Sequence, residues 1–246
     1  MRYLLPAFVC LLPAFAAQPL KPAVVADKVA DRFTPAAYAG QRVEGLLGDR
    51  MRVNLEGRLL HVDEKGILKG MYLFGKGPAS NAPRVQLLGS GAILREAIAA
   101  AELLRQDWGV DSDIWSCPSF TELGRDGQAT ARWNLLNPES APRLSHVEQC
   151  LKDTRGPVIA STDYIHGFAE QIRAFVPRRY VVLGTDGFGR SDTREKLRQF
   201  FEVDRYFVTV AALKALADEG QIAPAKVSEA IAKYGISPNK PNPLTV

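Results

Sequence analysis

Tyr180-Val181-Val182-Leu183 runs directly into Gly184-Thr185-Asp186-Gly187-Phe188-Gly189-Arg190-Ser191-Asp192, placing three glycines between an apolar run and a helix start. The four apolar residues read as a short buried strand. Asp192 followed three residues later by Glu195 has the form of a capping box, which predicts a helix to about Phe201. Strand, glycine loop and helix together outline an α/β ligand or interface site. No Gly-Lys-Ser/Thr follows, so the loop is not a Walker motif, and its glycines do not fit GxGxxG. Free amides at the helix start and Arg190 would attract an anion, whereas Asp186 and Asp192 would repel one. That balance favours packing over phosphate binding. Phe188, between two glycines, reads as a packed anchor, and Asp186, Phe188, Arg190 and Asp192 are the loop or interface candidates.

The same alternation extends in both directions along the chain. Val85 to Leu88, Ile114 to Cys117, Pro157 to Ala160 and Tyr206 to Val210 read as further strands. Ile93, Leu94, Ala97, Ile98, Ala101 and Leu104 share one helical face that ends before Gly109. Thr121 and Glu122 start a helix that Gly124 and Gly127 would shorten, and Trp133 to Leu136 reads as an ordered excursion. Thr162 or Asp163 caps a helix to Phe175, where Pro177 stops it, and helices follow at Ala211 to Asp218 and Pro224 to Tyr234. The fold expected is a three-layer α/β domain over residues 84–246, with a mostly parallel five-stranded sheet and helices on both faces. Before it come a short strand at Ile67 to Leu73, a linker at Gly75 to Pro83, and an irregular N-terminal segment.

The charge is unevenly spread. The first 80 residues carry 11 basic and 7 acidic side chains and the remainder 20 of each, so the net +4 sits in the front third. A balanced main body gives no electrostatic case for nucleic acid. Cys10, Cys117 and Cys150 have neither disulfide-framework nor zinc spacing, and His61, His146 and His166 are scattered. Residues 1–20, with Arg2, an apolar run from Tyr3 to Phe15 and Ala14-Phe15-Ala16, resemble a short secretory signal, too short to span a membrane. Residues 21–63 receive no assignment.

Other possible sites read more simply as structure. Gly89-Ser90-Gly91 could begin a dinucleotide fingerprint, but its third glycine would fall at Leu94 and no acidic residue closes the next strand. A tight turn is favoured. Asp163 and Glu170 are spaced two turns apart, which argues against an acid/base pair, and His166 reads as a solvated first-turn residue rather than a base. Ser90, Ser116 and Ser161 lie in no G-x-S-x-G elbow, and Trp108, Trp115 and Trp133 read as core or interface aromatics.

Taken together, several segments resemble one family. These are Ile67-Leu68-Lys69-Gly70-Met71-Tyr72, Val85 to Gly91, Ser119-Phe120-Thr121-Glu122-Leu123, Arg125-Asp126-Gly127-Gln128 and Arg132-Trp133-Asn134. Ala160-Ser161-Thr162-Asp163-Tyr164, Phe168-Ala169-Glu170-Gln171 and all of Gly184 to Asp192 complete the match. Over about residues 64–246 they resemble the C-terminal region of the homodimeric bacterial pyruvate dehydrogenase decarboxylating component, a transketolase C-terminal-like domain.

The resemblance implies an enzyme that uses thiamine diphosphate and magnesium to decarboxylate pyruvate, then passes acetyl to a lipoyl-bearing acyltransferase component. It also implies a cytoplasmic homodimer with no membrane or nucleic-acid partner. The family's cofactor motif is missing, since Gly48-Asp49-Arg50 lacks the third glycine, and no catalytic, cofactor-binding or metal residue is carried over. No cofactor is expected to bind this chain alone. The front segment is either a leader on a divergent protein or the product of an upstream truncation or frameshift, and the resemblance favours the second. The chain is expected to support fold and dimer and to be inactive alone; the alternative is a binding or regulatory module that pairs with full-length dehydrogenase subunits.

Overall fold

Along each central strand, apolar side chains alternate between two faces, and that alternation builds a core on each side of one sheet. The computed structural model describes residues 64–246; the leader-like segment, residues 21–63 and Gly48-Asp49-Arg50 lie outside the described residues. The strands are β1 (Tyr72–Gly75), β2 (Arg84–Gly89), β3 (Asp111–Ser116), β4 (Val158–Ser161) and β5 (Tyr180–Leu183), in the order β1-β3-β2-β4-β5. β1 runs antiparallel to β3, and the other pairings are parallel. β2 is central, with Leu88 facing Trp115 on one side and Ala160 on the other. All its residues are buried, as expected for a parallel strand covered on both faces.

Leu88, Trp115, Val158, Ala160, Tyr180 and Val182 form one face. Over it lie α3 (Phe120–Leu136), α4 (His146–Leu151), α5 (His166–Glu170) and a 3-10 turn at Arg173–Phe175, which contribute Phe120, Leu123, Leu151 and Ala169. Val85, Leu87 and Ile159 point the other way. There they meet Ala97 and Leu104 of α2 (Leu94–Trp108), Val208 and Leu216 of α7 (Arg205–Asp218), and Ala230 of α8 (Pro224–Lys233). α1 (Glu64–Lys69) precedes β1, and α6 (Arg194–Phe200) joins the glycine loop to α7. The three-layer, mostly parallel architecture expected from the sequence is the one found.

Several elements differ from the sequence reading, each for a local reason. Tyr206 to Val210 is helical: the Asp204 carboxylate accepts from the Tyr206 and Phe207 amides at 3.0 and 2.9 Å and starts α7 there. The fifth strand is instead β1. Ile67 to Leu73 is not one strand, because α1 occupies its first part and Gly70, at φ 89°, ends that helix before β1 begins. α3 runs straight through Gly124 and Gly127 and includes Trp133 to Leu136. Those glycines are seats for neighbours: a Cβ at Gly127 would lie 2.2 Å from the Phe175 ring and one at Gly124 3.2 Å from Gln171. The helix expected from Thr162 to Phe175 is only α5 plus the 3-10 turn, and neither Thr162 nor Asp163 caps it, since its N-cap is Ile165. The cap of α6 is Thr193, which accepts from the Lys196 amide, while Asp192 accepts from the Thr193 amide.

Candidate functional site

The carboxyl ends of β2, β4 and β5 bring three loops to one edge of the sheet. Strand order reverses between β2 and β4, the position where open α/β sheets form their crevices. The glycine loop is fastened to the segment after β4. The Thr185 amide donates to Tyr164 O at 2.9 Å, and the Thr185 hydroxyl donates to Asp163 O at 2.7 Å. The His166 amide donates to Asp186 Oδ1 at 3.2 Å, and His166 Nδ1 pairs with Asp186 Oδ2. This approach requires bare backbone: a Cβ on Gly184 would stand 2.6 Å from the His166 nitrogen. Gly187, at φ 112°, faces the same limit, because a Cβ there would lie 2.3 Å from Pro243 O.

The predicted loop residues therefore have separate surroundings. Asp186 is held by His166, and Asp192 is turned back onto its own chain. Arg190 lies over the Phe200 ring at 4.2 Å. Phe188 is not an anchor within the described fold, because it is 78% exposed. Tyr164, Ile165 and Phe168 on the neighbouring segment are also exposed, with the Tyr164 and Phe168 rings 5.3 Å apart. His166 begins α5 as expected but is paired rather than simply solvated. Asp163 and Glu170 form no pair: Arg173 grips Glu170 at 2.5 and 2.7 Å and lowers its carboxyl pKa by that hydrogen bond. Ser90, Ser116 and Ser161 are buried near the strand ends. A Cβ on Gly89 would lie 2.6 Å from Leu94 Cα, so this turn is a packing joint.

A cavity of about 710 Å³ lies beside Arg84, Asp113 and Arg155, at the opposite edge of the sheet. At the glycine-loop edge, a cavity of about 590 Å³ is bounded by Asp163, Gly187, Arg190, Arg194, Arg198 and Phe201. Sequence reading missed Arg194 and Arg198, although Arg190, Arg194 and Arg198 recur every fourth residue. The helix carrying the last two is fixed from behind by Glu96. That buried carboxylate accepts from Arg198 at 2.8 Å, from Arg205 Nε at 2.9 Å and from the Arg205 amide at 3.1 Å. Burial pushes its pKa up, but the Arg205 hydrogen bonds and the Arg205 and Arg198 charges outweigh burial and hold it below the usual range.

Among the described residues, no group of three or more His, Cys, Asp or Glu side chains is placed to hold a metal ion. Cys117 is enclosed and burial pushes its thiol pKa up, while His146 contacts Met71 O at 2.9 Å. No helix among the described residues is long and apolar enough to cross a membrane.

Comparison with known proteins gives these features a family. The chain is 72% identical over 184 residues to the pyruvate dehydrogenase E1 component of Cupriavidus necator, covering 74% of this chain and 21% of that protein. It is 53% identical over 181 residues to the same component of Escherichia coli K12, covering 73% of this chain and 20% of that protein. The chain thus spans about a fifth of the length of the curated relatives it matches. A solved transketolase from Campylobacter jejuni overlaps with 60% of this chain and 19% of its own at 19% identity and a TM-score of 0.41. Residues 70–204 match the family model for the transketolase-like TK C-terminal domain, more than half of the 246 residues, and the chain belongs to that family.

Proposed function

We propose that this chain is the C-terminal domain of an acetyl-transferring pyruvate dehydrogenase E1 component working in the cytoplasm. The observation that carries the reading is the 72% identity with a protein of that name across the described domain. The whole enzyme uses thiamine diphosphate and magnesium to decarboxylate pyruvate and delivers acetyl to the lipoyl groups of an acyltransferase component. This domain contributes fold and a subunit contact, and no reacting group. The test is direct: the purified chain with thiamine diphosphate, magnesium and pyruvate should release no carbon dioxide above the blank. Turnover would overturn the inactive-domain reading.

A second reading, a non-catalytic module that pairs with full-length dehydrogenase subunits, is favoured by the exposed Tyr164, Ile165, Phe168 and Phe188. Both readings place the subunit contact on these loops, with a second copy or a full-length subunit as partner. Native mass spectrometry of the chain, alone and mixed with a full-length subunit, separates them: homodimer alone supports the first, and preferential heterodimer the second.

A further inference from the structure

Along the sequence, Arg190 stands against Asp186 and Asp192, and the fold removes that opposition. Asp186 is drawn into its pair with His166 and Asp192 accepts the Thr193 amide, and neither lines the 590 Å³ cavity. Arg194 and Arg198, one turn apart on α6, line it together with Arg190. Asp163 is the one carboxylate among its lining residues.

The arginines are also placed to donate. The Arg194 side chain has no hydrogen-bond or ion-pair partner among the described residues. Arg190 is held by its face over Phe200, which leaves its edge donors available. Arg198 uses one donor on Glu96, so that its side chain is fixed while other N–H groups remain. Ile93, Leu197, Phe201 and Val203 add apolar surface to the same lining. The volume is within the range of small-molecule sites, and the position is the strand-order reversal at the carboxyl ends of the strands.

We infer that this cavity binds a small organic phosphate, its phosphoryl group on Arg190, Arg194 and the remaining donors of Arg198, its organic part against Leu197 and Phe201. Guanidinium groups suit this anion because they bind phosphoryl oxygens in parallel pairs. A dinucleotide is disfavoured: the Gly89 turn is closed by Leu94, and β3 ends in Ser116 instead of a carboxylate for ribose. The inference concerns a ligand site and does not rest on the pyruvate dehydrogenase reading.

Isothermal titration of the full 246-residue chain with phenyl phosphate and with inorganic phosphate, at constant ionic strength, tests it. Phenyl phosphate should bind with saturable one-site stoichiometry and more tightly than inorganic phosphate. Arg194→Ala, at an exposed position outside the core, should weaken phenyl phosphate by about tenfold, the size of a lost charge-assisted hydrogen bond. Lys226→Ala, at an exposed position on α8, should leave the affinity unchanged. No saturable binding at millimolar ligand, equal affinity for the two phosphates, or unchanged affinity in Arg194→Ala would each overturn the inference. A circular dichroism spectrum matching the parent chain verifies that the variant is folded.

Discussion

The two edges of the sheet use charge in opposite ways. At the edge where β2 and β3 begin, buried Arg84 meets Asp113 at 2.6 Å, Gln86 Nε2 donates to Asp113 at 2.9 Å, and Trp115 donates to Gln86 Oε1 at 2.8 Å. Ser80 and the Pro78 carbonyl complete the set. Polar groups here answer one another, although the larger cavity lies alongside. At the opposite edge, Asp186 is withdrawn, Arg194 faces the smaller cavity, and aromatic rings stand in solvent. The buried network at the first edge spends its polar groups on one another, whereas the second edge sets unmet guanidinium donors beside apolar surface.

That contrast predicts a descending series of effects. The largest is at the satisfied edge, where Asp113→Ala removes the nearer of two carboxylates on buried Arg84, leaving Asp111 at 3.4 Å, and should lower stability by about 3 kcal/mol in urea denaturation. Gly187→Ala, in a left-handed backbone facing Pro243, should cost about 2 kcal/mol and loosen the glycine loop, visible as faster amide exchange there. Glu96→Gln should cost about 1–2 kcal/mol at neutral pH by the same denaturation assay. Glu96 has a depressed folded pKa, so its contribution is fully present above the unfolded carboxylate value of about 4.3 and fades as pH falls through the folded value. The variant should therefore lose part of the parent's acid-side stability slope. Phe188→Ser should change stability by less than about 0.5 kcal/mol yet weaken subunit pairing in sedimentation equilibrium. A large loss of stability with unchanged pairing would place Phe188 in the core and reverse the comparison.

The sequence disclosed the two edges unequally. β5 was legible because its short apolar run is bounded sharply by Gly184, and β2 because Val85, Leu87 and Leu88 run directly into the Gly89 turn, although Arg84 and Gln86 are polar. Tyr206 to Val210 misleads because α7 is buried across a broad face, at Val208, Thr209, Ala212, Leu213 and Leu216, and a short window shows only an apolar run. The arginine spacing at 190, 194 and 198 is visible in the chain. The withdrawal of Asp186 is not, since its partner His166 lies twenty residues away at the start of α5 and only tertiary pairing brings them together.

Gly127 and Phe175 carry an implication for how relatives of this domain diverge. The ring fills the space that a side chain on α3 would need, so neither position is free to vary alone. A relative that gains a methyl at the first should carry a smaller residue at the second, and the two should travel through evolution as a linked pair.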